Sequence, residues 1–178
     1  MKRAVTFFLL FVLLTAPAVL LYSQEDEMEE AVIKSGFLFN ICKFTRWSRK
    51  DNPNGPIIVS IIGQTNPGNE LYVPPEKQIR QRKVIVQKID SLAEVGGSHV
   101  LFITGSESDR LEAILSYIEG KDILSVGDTK GYAQRGVCIN FYTEKGGVRF
   151  EINREAVQKS SIELHAQIYL IGKLVESK

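Results

Sequence analysis

The sequence has few of the residues on which most enzyme sites are built. Among its 178 residues there are two cysteines, two histidines and one tryptophan. It has no GxSxG nucleophile elbow, no Walker A loop, no GxGxxG turn and no CxxC pair. Two histidines alone do not make a zinc site, since catalytic zinc normally has three protein ligands. The sequence therefore predicts a protein that is not an enzyme and that holds neither a metal nor another cofactor.

The chain also lacks an excess of charge of either sign. It carries 22 Lys and Arg residues against 21 Asp and Glu residues, a formal net charge of +1. A nucleic-acid partner normally requires a strongly basic face. The charge balance therefore predicts that the protein has no nucleic-acid partner.

Long apolar runs are also lacking, except at the amino terminus. A short basic start precedes an almost unbroken apolar run over residues 4–14, and small residues follow it. This order is typical of a secretory signal peptide over residues 1–23, with cleavage after Ala18 or Ser23. A membrane anchor is the alternative, because residues 4–22 are just long enough to cross a bilayer. Cleavage is favoured, and we expect one exported domain over residues 24–178 without a membrane span.

The segment EDEMEEAVIKSGFLFNICKFTRWS is predicted to form one long helix. Its acidic start suits the positive end of the helix dipole. Large apolar residues recur at offsets of three and four, as on a buried helical face. These residues are Ile33, Phe37, Ile41, Phe44 and Trp47. Lys43 and Arg46 fall mainly outside this face, which makes them candidates for contacts with a partner.

Short apolar runs predict strands over residues 56–63, 99–103 and 123–127, and KVIVQKI, which alternates apolar and polar residues, predicts a half-buried, edge-side strand over residues 83–89. A glycine-containing loop over residues 143–147 joins a predicted hairpin of residues 137–142 and 148–152. Between residues 65 and 82, NPG and PP breakers allow at most a short helical turn.

Helical patterns lie between and after these strands. Ser106 with Asp109 is predicted to cap a helix that buries Leu111, Ile114, Leu115 and Ile118. Asn153 is predicted to cap a short helix, and a last helix is expected to bury Leu164, Ile168, Ile171 and Val175. The order predicts an α/β fold with a mixed, mostly parallel sheet, helices on both faces and a β-hairpin in the C-terminal half.

Three of the predicted parallel strands end in a glycine beside a polar group. Their ends read Gly63-Gln64, Thr104-Gly105-Ser106 and Gly127-Asp128. Ligands of open parallel sheets bind beyond the carboxyl ends of the strands, and a helix start after Ser106 would suit an anion. Turn and cap chemistry is the favoured explanation. The alternative makes Ser106 and Asp128 part of a site for an anion or a nucleotide.

Cys42 and Cys138 leave two interpretations open. In an oxidising compartment they pair or stay buried as separate thiols. A bond between them would close a long loop, worth about 4–5 kcal/mol in the chain-entropy model. The sequence does not fix whether their Cα atoms come within bridging range. The two residues are a candidate disulfide, with two separate thiols as the alternative.

Three blocks of the sequence resemble the YfiR-like family. GFLFNICKFTRWS is similar to the family's opening helix motif, and HVLFI is similar to its middle strand. ILSVGDTKGYAQRGVCINFYTEKGGVRFEINREA resembles its second signature, with a VGD turn, an INF strand and a VRFEIN strand. The resemblance runs from about Ala31 to Val175. The recurring positions, mostly glycines, aromatics and amides, are Phe37, Asn40, Lys43, Phe44, Trp47, Gly127, Asp128, Gly131, Gly136, Asn140, Phe141, Phe150, Glu151 and Asn153.

The resemblance implies a small periplasmic α/β protein without known catalysis. The best-known members inhibit a membrane-bound diguanylate cyclase by binding its periplasmic sensor region, which affects cyclic di-GMP and biofilm formation. They are released by an outer-membrane-associated lipoprotein or by redox stress that acts on their cysteines. The partners expected for this chain are such a sensor region or another inner-membrane receptor, such a lipoprotein, and a second copy in a homodimer.

The opening block supplies the candidate contact residues Asn40, Lys43, Arg46 and Trp47. Asn40 flanks an apolar helix face, and a buried amide needs a hydrogen-bond partner. We expect it to bind the turn at Asp128 or the strand at Asn140, as part of the architecture more than as a recognition group.

Overall fold

The computed structural model describes residues 28–47, 52–65, 71–74 and 76–178. The predicted signal peptide, residues 1–23, lies outside the described residues. Within them, no helix combines the length and the apolar character that a bilayer crossing requires.

The described residues alternate strands with short helices. The strands are β1 (Thr45–Arg46), β2 (Ile57–Ile62), β3 (Gln78–Ile79), β4 (Arg82–Ile89), β5 (Val100–Ile103), β6 (Leu124–Gly127), β7 (Ile139–Glu144), β8 (Gly147–Asn153), β9 (Glu163–Leu164) and β10 (Lys173–Val175). The α-helices are α1, whose described part is residues 28–43, α2 (Leu111–Ile118), α3 (Arg154–Lys159) and α4 (Ala166–Ile171). Two 3₁₀ segments cover Leu92–Val95 and Gly105–Arg110.

Eight of these strands form one sheet in the order β10-β8-β7-β6-β5-β2-β4-β3. Its pairs are parallel except for β3 with β4 and β7 with β8. The strands β1 and β9 pair separately and antiparallel. This arrangement confirms the predicted mixed, mostly parallel sheet with a hairpin in the C-terminal half.

Both faces of the sheet are covered, as β5 shows. Val100 and Phe102 belong to a core shared with α1, α3 and α4, whereas Leu101 and Ile103 belong to a second core shared with α2. Successive side chains of a strand point to opposite faces, so these two cores lie on opposite sides of the sheet. All four residues are almost completely buried.

The first helix ends earlier than the sequence predicts, and its buried side matches the predicted face only in part. It ends at residue 43, and β1 begins at Thr45. The hydroxyl of Thr45 donates a hydrogen bond to the carbonyl oxygen of Ile41. Ile33 is 38% exposed. The buried residues of the helix are Ala31, Lys34, Ser35, Leu38, Phe39, Ile41 and Cys42. The predicted face is confirmed in part: Ile41 and Trp47 are buried and Phe37 and Phe44 pack against the core. Its position was shifted because two polar residues, Lys34 and Ser35, are buried with hydrogen-bond partners.

Ser106 does not cap α2, because the 3₁₀ segment Gly105–Arg110 lies between the strand and the helix. The inward positions of α2 are confirmed, with Leu111, Ile114 and Ile118 buried. Asn153 caps α3 as predicted, since its Oδ1 accepts the backbone N–H of Ala156 at 2.9 Å.

The last helix was predicted too long. It ends at Ile171, which is 66% exposed, while Leu164 lies on β9 and Val175 on β10. Gly172 ends it, and a Cβ at this position would lie 2.5 Å from Ile152 Cδ1. This close approach lets the chain turn into β10 alongside β8.

Two hairpin turns also differ from the prediction. Lys145 and Gly146, with φ of 51° and 75°, form a two-residue turn that is shorter than the predicted loop over residues 143–147. Arg80 and Gln81, with φ of 50° and 66°, connect β3 to β4, where the sequence allowed at most a helical turn. The Arg80 guanidinium donates to the carbonyls of Lys43 and Thr45, which holds this second turn against the end of α1.

Gly63, directly after β2, offers a test of the close packing at the strand ends. Its φ is +98°, and a Cβ would lie 2.1 Å from Thr104 Oγ1. Gly97 has φ of +79° but nothing within 4 Å of a Cβ. We expect Gly97→Ala to lower the free energy of unfolding by about 1–2 kcal/mol through backbone strain. Gly63→Ala should lower it by about 1–3 kcal/mol more through overpacking, measured by urea denaturation. Equal losses for the two variants would contradict the packing at Gly63.

Candidate functional site

The carboxyl ends of β2, β5 and β6 meet at one edge of the sheet and border a groove of about 500 Å³. Its lining includes Lys34, Gln64, Thr104, Ser106, Asp128 and Thr129. The three strands are parallel neighbours, so their ends converge as the sequence predicts. The structure therefore brings two of the predicted site residues, Ser106 and Asp128, into one groove.

Ser106 joins the loops that border this groove. Its Oγ accepts the backbone N–H of Gln64 at 2.8 Å and lies 2.9 Å from Thr104 Oγ1. The side chain thus ties the end of β2 to the end of β5. In this geometry Ser106 positions the groove wall.

Lys34 provides a buried positive charge at the groove. Its side chain reaches from α1 to Asp128, with Nζ 2.9 Å from Oδ2, and to Glu30, with Nζ 2.8 Å from Oε1. Lys34 is only 5% exposed. Burial by itself lowers the pKa of Lys34, but the attraction and hydrogen bonds of Asp128 and Glu30 outweigh it, so the pKa lies above its ordinary value. The ammonium is therefore held in its charged form between two carboxylates.

This charge arrangement bears on the predicted anion or nucleotide ligand. Two carboxylates, Glu30 and Asp128, line the groove together with one ammonium that is already paired with both. A phosphate would meet a net negative wall there. The ligand stays a prediction, and the lining gives it no electrostatic support.

The predicted contact residues at the end of α1 do not form one cluster. Asn40, Lys43 and Arg46 are exposed, and Arg46 pairs at 3.1 Å with the equally exposed Glu163 of β9. Trp47 is 8% exposed and lies in the core. The first three residues remain available for a partner, whereas Trp47 has a structural position.

Trp47 packs against His99 near the amino ends of β2 and β5. Its Nε1 donates to the carbonyl of His99 at 3.0 Å, and the two rings lie edge to face with centroids 5.2 Å apart. His99 Nδ1 in turn accepts the backbone N–H of Ile58. Since Ser106 and Asp128 lie at the carboxyl ends, Trp47 and those residues occupy opposite ends of the parallel strands.

Both histidines contact neighbouring groups of the domain, and His99 Nε2 also lies 2.8 Å from the Arg82 guanidinium. His99 has the structural contacts just given, and His165 caps α4 by accepting the backbone N–H of Gln167. Over the same residues, no group of three His, Cys, Asp or Glu side chains is placed to hold a metal ion.

Sequence reasoning did not single out Lys34 as a site residue, and it named Asn140 only as a recurring position and as a possible partner of Asn40. Lys34 lies four residues after Glu30, a spacing that brings helical side chains together, and this was the available signal. Asn140 is 1% exposed, and its Oδ1 has no hydrogen-bond partner within the described part of the chain. The buried amide of this region is therefore Asn140, whereas Asn40, the residue singled out from the sequence, is exposed.

Both cysteines are free and buried in the structure, so it contains the two separate thiols and not the candidate disulfide between Cys42 and Cys138. Burial raises the pKa of Cys42 to about 12, and burial also raises the pKa of Cys138. A thiol with a raised pKa is a poor nucleophile, since the thiolate is the reactive form.

We expect the Lys34–Asp128 pair to matter far more for stability than the Arg46–Glu163 pair. Asp128→Asn removes the more buried of the two carboxylates that contact the ammonium of Lys34 and should lower the free energy of unfolding by about 3 kcal/mol. The exposed control, Glu163→Gln, should lower it by less than about 1 kcal/mol. Urea denaturation of the two variants measures both values. Similar losses in the two would show that Lys34 is not buried as described.

Thiol accessibility tests the state of Cys42 and Cys138. We expect iodoacetamide to leave both residues unmodified in the native, non-reduced protein, because they are buried and their pKa values are raised. In denaturant without reductant both should react, as mass spectrometry would show. A denatured protein that stays unmodified and weighs two hydrogens less would instead reveal a disulfide.

The YfiR/HmsC-like family matches the chain over residues 31–172. No curated protein matches it. Among solved structures, a conserved domain protein from Vibrio cholerae O1 biovar El Tor strain N16961 is similar, at 12% sequence identity and a TM-score of 0.44. That similarity covers 68% of this chain and 54% of the other, so the chain spans about half of that protein's length. The family match takes in well over half of the sequence and confirms the resemblance of its motifs: the chain belongs to the YfiR/HmsC-like family.

Proposed function

We propose that this protein is an exported regulator that holds a membrane-bound signalling enzyme, a diguanylate cyclase, in its inactive state. The observation that carries the proposal is the family match over residues 31–172, because YfiR/HmsC-like proteins are periplasmic regulators. In this proposal residues 1–23 direct export and are removed, and the domain binds the periplasmic sensor region of the enzyme. Cyclic di-GMP and biofilm formation are then the cellular outputs.

The side chains of the described domain support binding more than catalysis. Its histidines contact backbone groups, its thiols are buried, and its most buried lysine is paired with two carboxylates. By contrast, several large apolar side chains are exposed near the carboxyl terminus. These are Leu170 at 83%, Ile171 at 66% and Leu174 at 48%. Exposed apolar side chains of this kind suit a protein that works through contact with another protein.

An inhibitor of this kind acts by binding one conformation of the sensor region better than the other. Shifting a two-state enzyme from mostly active to mostly inactive takes about 5.5 kcal/mol of differential affinity. A protein interface of standard size, about 1,600 Å² in total, is large enough to supply that difference. The domain needs no chemical step to regulate its partner.

Release by competition fits this chain better than release by oxidation. The redox route that the resemblance implies requires reactive cysteines, whereas Cys42 and Cys138 are buried with raised pKa values. We therefore propose that a competing protein, such as an outer-membrane lipoprotein, relieves the inhibition.

Deletion of the gene tests the proposed function. We expect cyclic di-GMP and biofilm mass to rise several-fold, and to return to the starting level when the full chain is supplied on a plasmid. A version without residues 1–23 should not restore them, because it stays on the wrong side of the membrane. Nucleotide extraction with mass spectrometry measures cyclic di-GMP.

Two results would count against this function. One is an unchanged cyclic di-GMP level after deletion in cells that contain the cyclase. The other is full restoration by the version without residues 1–23, which would remove the periplasmic location from the proposal.

A further inference from the structure

One edge of the large sheet is left open beside β4. The strand covers Arg82–Ile89, and β2 pairs with its inner side from Val84 to Ile89. On the outer side β3 pairs only with Arg82 and Lys83, and the backbone N–H of Val84 donates to the carbonyl oxygen of Lys77. Within the described residues, no strand pairs with the outer side of residues 85–89.

The backbone of this open edge is oriented for strand pairing. Because the N–H of Val84 points toward β3, the alternation of a strand directs the N–H and C=O groups of Val86 and Lys88 outward as well. Unpaired groups in such a row are a template for an added strand from another chain. β3 shows that an antiparallel partner fits on this side of the sheet.

The side chains around the edge are mainly basic. From Glu76 to Asp90 there are five Lys and Arg residues and two acidic ones. Arg80 and Arg82 donate to backbone carbonyls of the domain. Lys83 and Lys88 extend into solvent, and Lys83 has a single weak contact, 3.9 Å from Glu76.

These charges select the kind of partner. A second copy of the chain at the same edge would bring two sets of exposed basic side chains, Lys83 and Lys88 of each copy, together along the paired strands, and like charges across paired strands are destabilising. An acidic segment would be attracted instead. Ile85, which is 45% exposed, adds an apolar contact on the face that it shares with Lys83.

We propose that the outer edge of β4, at Val86 and Lys88, binds an extended acidic segment of a partner protein as an additional strand. Backbone hydrogen bonds at these two residues supply affinity, and Lys83, Ile85 and Lys88 select acidic and apolar side chains. The identification of the partner as the sensor region of the regulated enzyme rests on the proposed function. The proposal that this edge binds an acidic strand does not depend on the proposed function.

A peptide titration of the full domain tests the edge. The probe is a fluorescent octapeptide of alternating Glu and Val, and its counterpart of alternating Lys and Val is the control. We expect the acidic peptide to bind at least about tenfold more tightly than the basic one, a difference of about 1.4 kcal/mol. High salt should weaken the binding of the acidic peptide.

Val86→Pro is the decisive variant, with Val86→Thr as its matched control. Proline removes the outward N–H and no hydrogen bond to β2, so the domain should fold, which thermal unfolding would verify. We expect Val86→Pro to lose at least about tenfold in affinity for the acidic peptide, while Val86→Thr keeps it. If Val86→Pro unfolds, Lys83→Glu combined with Lys88→Glu provides the same test through charge, with the basic peptide now preferred.

Several outcomes would overturn this inference. They are equal binding of the two peptides by the wild-type domain, unchanged binding by folded Val86→Pro, and a dimer in sedimentation that Val86→Pro converts to monomer. The last result would assign the edge to a second copy.

The cellular assay separates this inference from the proposed function. If the wild-type chain lowers cyclic di-GMP and Val86→Pro lowers it equally, the edge is not the regulatory contact, although the protein is a regulator. If the wild-type chain does not lower it, the proposed function fails, and the peptide titration still decides whether the edge binds an acidic strand.

Discussion

The ion pair between Lys34 and Asp128 is the contact on which the arrangement of this domain depends most. It joins α1 to the carboxyl end of β6 at 2.9 Å, in a place where both side chains are largely removed from water. A buried ammonium without a carboxylate would be costly, so the pair fixes the rotation of α1 on the sheet. That rotation places Leu38 and Cys42 in the core and leaves Asn40 and Lys43 outside. The side of the first family motif that faces solvent therefore depends on an ion pair made by Lys34, two residues before the motif begins.

Much of the fold was predictable because its central strands are buried on both faces. Such strands are continuous apolar runs, and the runs at β2, β5 and β6 were recognised within one or two residues of their ends. The face of α1 was not predictable in the same way. Hydrophobic periodicity assigns Lys34 and Ser35 to the surface. Only the structure shows the hydrogen-bond partners that offset the cost of burying them. The turn between β3 and β4 was not predicted for a similar reason. Arg80 and Gln81 adopt positive φ there without the glycine or asparagine that marks such turns, and the contacts of Arg80 with Lys43 and Thr45 cannot be read from the sequence.

Some positions in the candidate site were predictable from the sequence, and others depend on contacts that only the structure shows. Ser106 and Asp128 share a groove because a topological rule for parallel strands brought their positions together before any side-chain detail was known. Trp47 was predicted both as a residue of the buried helical face and as a candidate contact residue, and its burial confirms the first of these predictions, while its location depends on where α1 ends. The helix stops at residue 43, so Trp47 passes to the opposite end of β2 and β5, beside His99. Asn140 lies on a strand that the sequence did identify, but its Oδ1, which has no hydrogen-bond partner among the described residues, follows from packing that no sequence pattern encodes.

Among the described residues, polar and charged groups have partners within the domain at one edge of the sheet, and some backbone groups lack them at the other. At the carboxyl edge, the charges of Lys34, Asp128 and Glu30 satisfy one another, and the groove keeps little attraction for an outside ion. At the β4 edge, no described residue pairs with the outward backbone groups of Val86 and Lys88, and the exposed ammonium of Lys83 lies 3.9 Å from the exposed carboxylate of Glu76. A regulator that works through binding needs both conditions, because a rigid frame lowers the entropy cost of association and an open edge provides the hydrogen bonds. The same sheet supplies both, since β2, β5 and β6 are paired on both sides, and within the described residues the outer side of β4 beyond Lys83 has no strand beside it.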